Sequence, residues 1–145
     1  MIKRLIKLFV SKQKLFELFT YTLTSSKDTE QIAKAVKEAC DTYQFALLHD
    51  YVYHEVVASK GFPIQKKVFI FEVCQAKVAA MVLSEETRFA PFMPCRIAIY
   101  EDAGQSVIST QNMEMILNTL NKKSDLYKET NTLFDTLKSL MNSLK

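Results

Sequence analysis

Val68-Phe69-Ile70-Phe71-Glu72-Val73-Cys74 is a seven-residue run with a single charged side chain, and it restricts the fold more than any other stretch. Crossing a bilayer takes roughly 18 or more consecutive apolar residues, so the run is too short for a membrane span. Its β-branched and aromatic content favours a strand over a helical segment. A strand this apolar belongs deep in a sheet, which predicts further strands and covering helices around it. No apolar run in the chain reaches that length, and no small-residue cleavage site follows an apolar stretch, so the expected address is the cytoplasm.

Those neighbours are legible. Phe16 to Thr24 alternates large apolar residues with β-branched ones and predicts a strand. Asp28 with Gln31 three positions on forms a capping-box pattern, which predicts a helix from about Thr29 burying Ile32, Ala35, Val36, Ala39 and Tyr43 while Glu30, Lys34, Lys37 and Asp41 face water. Phe45 to Val52 predicts a second strand, with Phe45, Leu47, His49 and Tyr51 on one side. A brief helix follows over Tyr53 to Lys60, ending at Gly61. Beyond the apolar run, Ala76 to Leu83 favours a helix, and Cys95 to Glu101 pairs with Gln105 to Thr110 across a tight turn at Asp102-Ala103-Gly104. A short helix near Met113 to Leu120 precedes a longer one from about Ser124. In the latter, Leu126, Thr130, Leu133, Leu137, Leu140 and Leu144 form a stripe fit for a sheet surface or a coiled-coil seam. The order predicts an α+β fold: a curved antiparallel or mixed sheet with helices mainly on one face. The 145 residues contain two Gly and three Pro and show no repeat or internal linker, so they divide into a basic arm, residues 1–14, and a single domain, residues 15–145.

Charge is unevenly spread. Lys3, Arg4, Lys7, Lys12 and Lys14 meet no acid within the arm, whereas the remaining residues hold 14 bases against 16 acids. That body lacks the clustered cations a nucleic-acid backbone demands, which argues against such a partner. In the arm, Ile2, Leu5, Ile6 and Phe9 recur at i, i+3, i+4 and i+7, a pattern able to touch an anionic membrane surface or to pack on the domain or a second copy.

Glycine only at positions 61 and 104 removes the Walker loop, the dinucleotide fingerprint and the nucleophile elbow, all of which need several glycines. Two histidines, His49 and His54, without a Cys/His cluster, offer no zinc centre. His54, between Tyr53 and the pair Val56-Val57, is the candidate ligand: an imidazole among apolar groups can offer a ring nitrogen to haem iron or an organic guest, or simply bond the backbone. Cys74 and Cys95 fall at strand ends; a thiol nucleophile would need a basic neighbour, for which Arg96 is the candidate, and small buried hydrophobes are the plainer reading.

Three segments carry a family resemblance. Met93-Pro94-Cys95-Arg96-Ile97-Ala98-Ile99-Tyr100-Glu101, with the Asp102-Ala103-Gly104 turn, resembles an L-P-C/L-x-x-x-V-Y/W-E stretch; Ile70-Phe71 with Ala76 and Met81 resembles a strand-to-helix segment; and Val52-Tyr53-His54 with Ala58 and Gly61 resembles an I-D-H-x-x-x-A segment. All belong to the bacterial domain-of-unknown-function family 302, and the likeness spans about Phe16 to Lys145. Gln44 and Tyr53 depart from the family's usual Gly and Asp. The resemblance implies a β-α-β-β-β-β-α domain like the TATA-binding-protein fold, often a homodimer, and some members bind haem b through a histidine. DNA binding does not come with the fold. The expectation is therefore a non-enzymatic, homodimeric small-ligand-binding domain holding a hydrophobic molecule, foremost haem b. His54 would be the axial metal ligand, with Tyr53 and Val57 beside it. The alternatives are an interaction protein docking on a membrane surface or partner through residues 1–14, and a thiol-dependent enzyme.

Overall fold

The computed structural model describes residues 11–145; the stripe Ile2, Leu5, Ile6 and Phe9 of the basic arm lies outside the described residues. The elements run α1 (Lys12–Phe19), β1 (Thr20–Ser25), α2 (Thr29–Thr42), β2 (Ala46–Val52), α3 (Tyr53–Ser59), β3 (Val68–Cys74), α4 (Ala76–Glu85), a 3₁₀ turn (Thr87–Phe92), β4 (Cys95–Asp102), β5 (Gln105–Gln111), α5 (Glu114–Leu117) and α6 (Asp125–Ser143). The five strands form one antiparallel sheet in the order β1-β5-β4-β3-β2. This is the α+β architecture expected from the sequence.

Helices start where local chemistry directs. Asp28 Oδ1 accepts the backbone N–H groups of Glu30 and Gln31 at 2.9 and 3.3 Å, and Ser124 Oγ accepts that of Tyr127 at 3.1 Å, satisfying donors that the first helical turn leaves free. One side of the sheet, through Phe71, Val73, Ile97, Ile99 and Ile108, packs against Ile32, Val36 and Cys40 of α2, Val78 and Val82 of α4, and Phe134, Leu137, Leu140 and Met141 of α6. The leucine stripe of α6 therefore covers the sheet. Cys40 takes the inward position expected of Ala35, which is exposed.

Three local expectations are corrected. The segment from Phe16 begins as helix α1, and the strand starts only at Thr20; Leu15, Phe16, Leu18 and Phe19 fit a helical stripe as well as Phe16 and Leu18 fit a strand alternation. The most buried strand is β5 rather than the apolar β3: Ser106 to Thr110 are all buried, while Val68 to Ile70 remain half-buried. Small hydroxylated side chains are easily covered by long neighbours, and they are satisfied here. Ser106 pairs with Thr29 at 2.8 Å, Ser109 with Thr22 at 2.9 Å, and Thr110 donates to the Arg96 carbonyl at 2.6 Å. Finally, β2 contains a bulge. Leu47 pairs with Val73 and His49 with Glu72, so Leu48 is extra and the face pattern shifts by one residue after it. His49 and Tyr51 consequently share the outer face with Glu72 and Ile70, while Asp50 and Val52 turn to the inner side beside Phe71 and Phe69.

Candidate functional site

The bulge shapes the largest cleft described, about 420 Å³, between α2 and the β2–β3 edge of the sheet. Its apolar wall is Ala33, Leu47, Val52, Phe69 and Phe71; its polar lining is Glu30, Lys34 and Lys37 from α2, Asp50 from β2, and His54 and Glu55 from the first turn of α3. The volume lies within the roughly 300–1,000 Å³ range of small-molecule sites. At the rim Lys67 Nζ meets Glu30 Oε1 at 2.6 Å. This contact holds the Glu30 carboxyl below its ordinary pKa and the Lys67 ammonium above its own.

His54 is half-buried with its ring edge-on to Phe69, centroids 5.3 Å apart. Nδ1 stands 3.1 Å from both the carbonyl oxygen and the backbone nitrogen of Val68, the residue that opens β3. Only one of these contacts is a hydrogen bond in a given tautomer. When Nδ1–H donates to the carbonyl, the Nε2 lone pair is free to bind a Lewis acid; when Nδ1 accepts the N–H, Nε2 carries the proton and is a donor. In either state the backbone fixes the imidazole, which is how metal-binding histidines are oriented elsewhere.

The other expected site residues are not brought to the cleft. Tyr53 is exposed and turns its ring toward Tyr51 on the outer face of the sheet, centroids 6.3 Å apart. Val57 lies outside the cleft lining, and its carbonyl accepts the backbone N–H groups of Lys60 and Phe62 as the helix closes. His49 is exposed on the outer face, 4.3 Å from the Tyr51 ring centroid. The principal wall opposite the sheet is α2, and the short helix α3 supplies only His54 and Glu55. Glu30, Ala33, Lys34 and Lys37 form an i, i+3, i+4, i+7 stripe that reads in sequence as a solvated face; that spacing was the available signal for it. Asp50 gave none, because the bulge reverses its side.

A fit test for haem b rests on these donors. His54 offers one nitrogen, five apolar side chains offer a wall for a flat ring, and Lys34 and Lys37 offer partners for carboxylates. The residues fit.

Cys74 and Cys95 line a different space, a small, partly open apolar pocket of about 60 Å³ between α4, the 3₁₀ turn, α6 and the strand ends. Burial pushes the Cys74 thiol up, and burial with Cys74 beside it pushes Cys95 up to about 11. Arg96 is engaged by Glu72 at 3.5 Å. Both thiols are therefore protonated at neutral pH, the reverse of what a nucleophile needs. Among the described residues no three His, Cys, Asp or Glu side chains cluster to hold a metal ion, and no helix is long and apolar enough to cross a membrane.

Comparison with known proteins places this geometry. The model of a family described as a domain of unknown function, DUF302, matches residues 21–144. A crystal structure of an uncharacterized conserved DUF302 protein from Bacillus stearothermophilus superposes with a TM-score of 0.75, at 22% identity, over 88% of this chain and 99% of that one. At that identity the likeness is one of fold. No curated protein matches.

Proposed function

Because the chain belongs to the DUF302 family, we propose that it is a non-enzymatic binding domain whose cleft between α2 and the β2–β3 edge takes a flat, largely apolar molecule bearing carboxylates, foremost haem b. The observation that carries this reading is His54: an imidazole on the cleft wall with Nδ1 held by the Val68 backbone. In the tautomer that donates to the carbonyl, Nε2 would be the nitrogen available to hold the iron. Val52, Leu47, Phe69 and Phe71 exclude water from the ring, and Lys34 and Lys37 hold the carboxylates. Bound haem supplies an iron centre, and the protein's part is ligation, orientation and exclusion of solvent.

Self-association into a homodimer belongs to the same reading. Tyr53, Val56, Phe62 and Ile64, all exposed on α3 and the loop after it, supply apolar surface for a second copy. Purified protein titrated with haemin is expected to give a saturable Soret band that is lost in His54→Ala and weakened in Lys34→Glu/Lys37→Glu. A Soret band that survives unchanged in His54→Ala overturns the ligation, and no band with wild-type protein overturns haem as the guest.

A further inference from the structure

We propose that α1, with the basic segment before it, is a docking element that seats the domain on an anionic lipid surface. Among the described helices of eight or more residues, α1 is the one with no buried residue. Leu15, Phe16, Leu18 and Phe19 are 37%, 65%, 46% and 55% exposed. At 3.6 residues per turn these four side chains span an arc of about 160°. That is a broad apolar face, left uncovered by the other described residues, and the principal contact of α1 among them is the strand that follows it. Lys14 borders the arc and Lys12 stands at its N-terminal end, where its stem can lie along the apolar face and its ammonium reach outward.

Charge selects the occupant. Residues 1–19 carry five bases, Lys3, Arg4, Lys7, Lys12 and Lys14, against one acid, Glu17. A two-fold contact with a second copy would set the same cationic segment against itself. A nucleic-acid duplex would meet the cations and leave the phenylalanines in water. An anionic bilayer takes both: the apolar side chains enter the headgroup–acyl boundary while the bases lie among anionic headgroups. Placement agrees. The α1 segment precedes the family-matched residues and enters the sheet at edge strand β1, whereas the His54 cleft lies at the opposite edge, β2. The domain can dock by one edge with the cleft at the other.

The test is co-sedimentation of the full chain with sucrose-loaded vesicles of phosphatidylcholine alone and of phosphatidylcholine with phosphatidylglycerol. Binding is expected to the anionic vesicles, to weaken in 0.5 M salt, and to fall about 10-fold or more in Phe16→Ser/Phe19→Ser, since each ring withdrawn from lipid loses the gain from burying its apolar area. Neither residue is buried, so the variant keeps the wild-type circular dichroism and melting temperature. Equal sedimentation of wild type and variant, or none by either, overturns the proposal. So does a concentration-dependent dimer that the same double substitution abolishes, which would give this face to a second copy.

Discussion

His54 can be tested as a structural residue and as a ligand separately, because the two roles use different ring nitrogens. His54→Ala removes the 3.1 Å contact of Nδ1 with the Val68 backbone and the edge-on packing against Phe69. A net hydrogen bond contributes about 0.5–1.5 kcal/mol and an aromatic edge contact a similar amount. The residue is half-buried, which takes the sum toward its lower half, about 1–2 kcal/mol. For a chain of this size each kcal/mol shifts Tm by roughly 2–4 °C, so His54→Ala should melt about 2–8 °C lower. His54→Asn places an amide group close to where Nδ1 stands and should recover about half of that loss while having no counterpart of Nε2. The chain has no Trp, so melts are followed by far-ultraviolet circular dichroism. Long-range nitrogen–proton correlation of the His54 ring then reads the tautomer. Equal melting temperatures for His54→Ala and wild type would refute the anchoring, and a proton found on Nε2 in the free protein at pH 8, with Nδ1 bare, would refute a preformed ligand.

Three further outcomes follow from the packing, the hairpin and the thiols. Phe134 is 2% exposed, meets the Tyr21 ring at 6.5 Å and lies under Lys138 Nζ at 4.8 Å; Phe134→Ala should cost about 3–5 kcal/mol in urea unfolding, and a loss below ~1 kcal/mol would contradict its place in the core. The β4–β5 turn has φ of 48° at Ala103 and 76° at Gly104, so Ala103→Asn, better suited to a two-residue hairpin, should stabilise by about 0.5–1 kcal/mol, and a lower urea midpoint would contradict it. Burial, with Asp41 adding to it, pushes Cys40 up to about 11 from an ordinary 9.0, so the unfolded chain loses the proton first. The resulting stability is intact below about pH 9 and lost as pH rises through 11; the difference in stability between wild type and Cys40→Ala should change over that window alone, and a pH-independent difference would refute the burial.

The sequence was most informative where structure is set by neighbours in the chain. Asp28 and Ser124 announce their helices because a cap is a bond between residues two or three apart, and the Asp102-Ala103-Gly104 turn announces a hairpin because backbone geometry there is local. The family resemblance held as well: the hairpin turn lies inside one of its segments, and the family match spans residues 21–144. Misreadings arose where two local patterns coincide. Phe16 and Leu18 fit a period of two, yet Leu15, Leu18 and Phe19 fit 3.6, and the helix wins through Ser11, whose hydroxyl accepts the Lys14 N–H at 3.3 Å.

The cleft shows why a site is harder to read than a fold. His54 stood out because imidazoles are rare in this chain, but its companions did not. Glu30, Lys34 and Lys37 carry charges that sequence patterning assigns to solvent, and they do border solvent while also forming one wall. Asp50 depends on Leu48: without the bulge, the alternation set by Leu47 would send Asp50 to the outer face and His49 inward. One inserted residue therefore gives the cleft a carboxylate in place of a second imidazole. The competing arrangement would set His49 and His54 on one wall; the observed one leaves His54 the single imidazole lining the cleft, with the Asp50 carboxylate on the neighbouring strand.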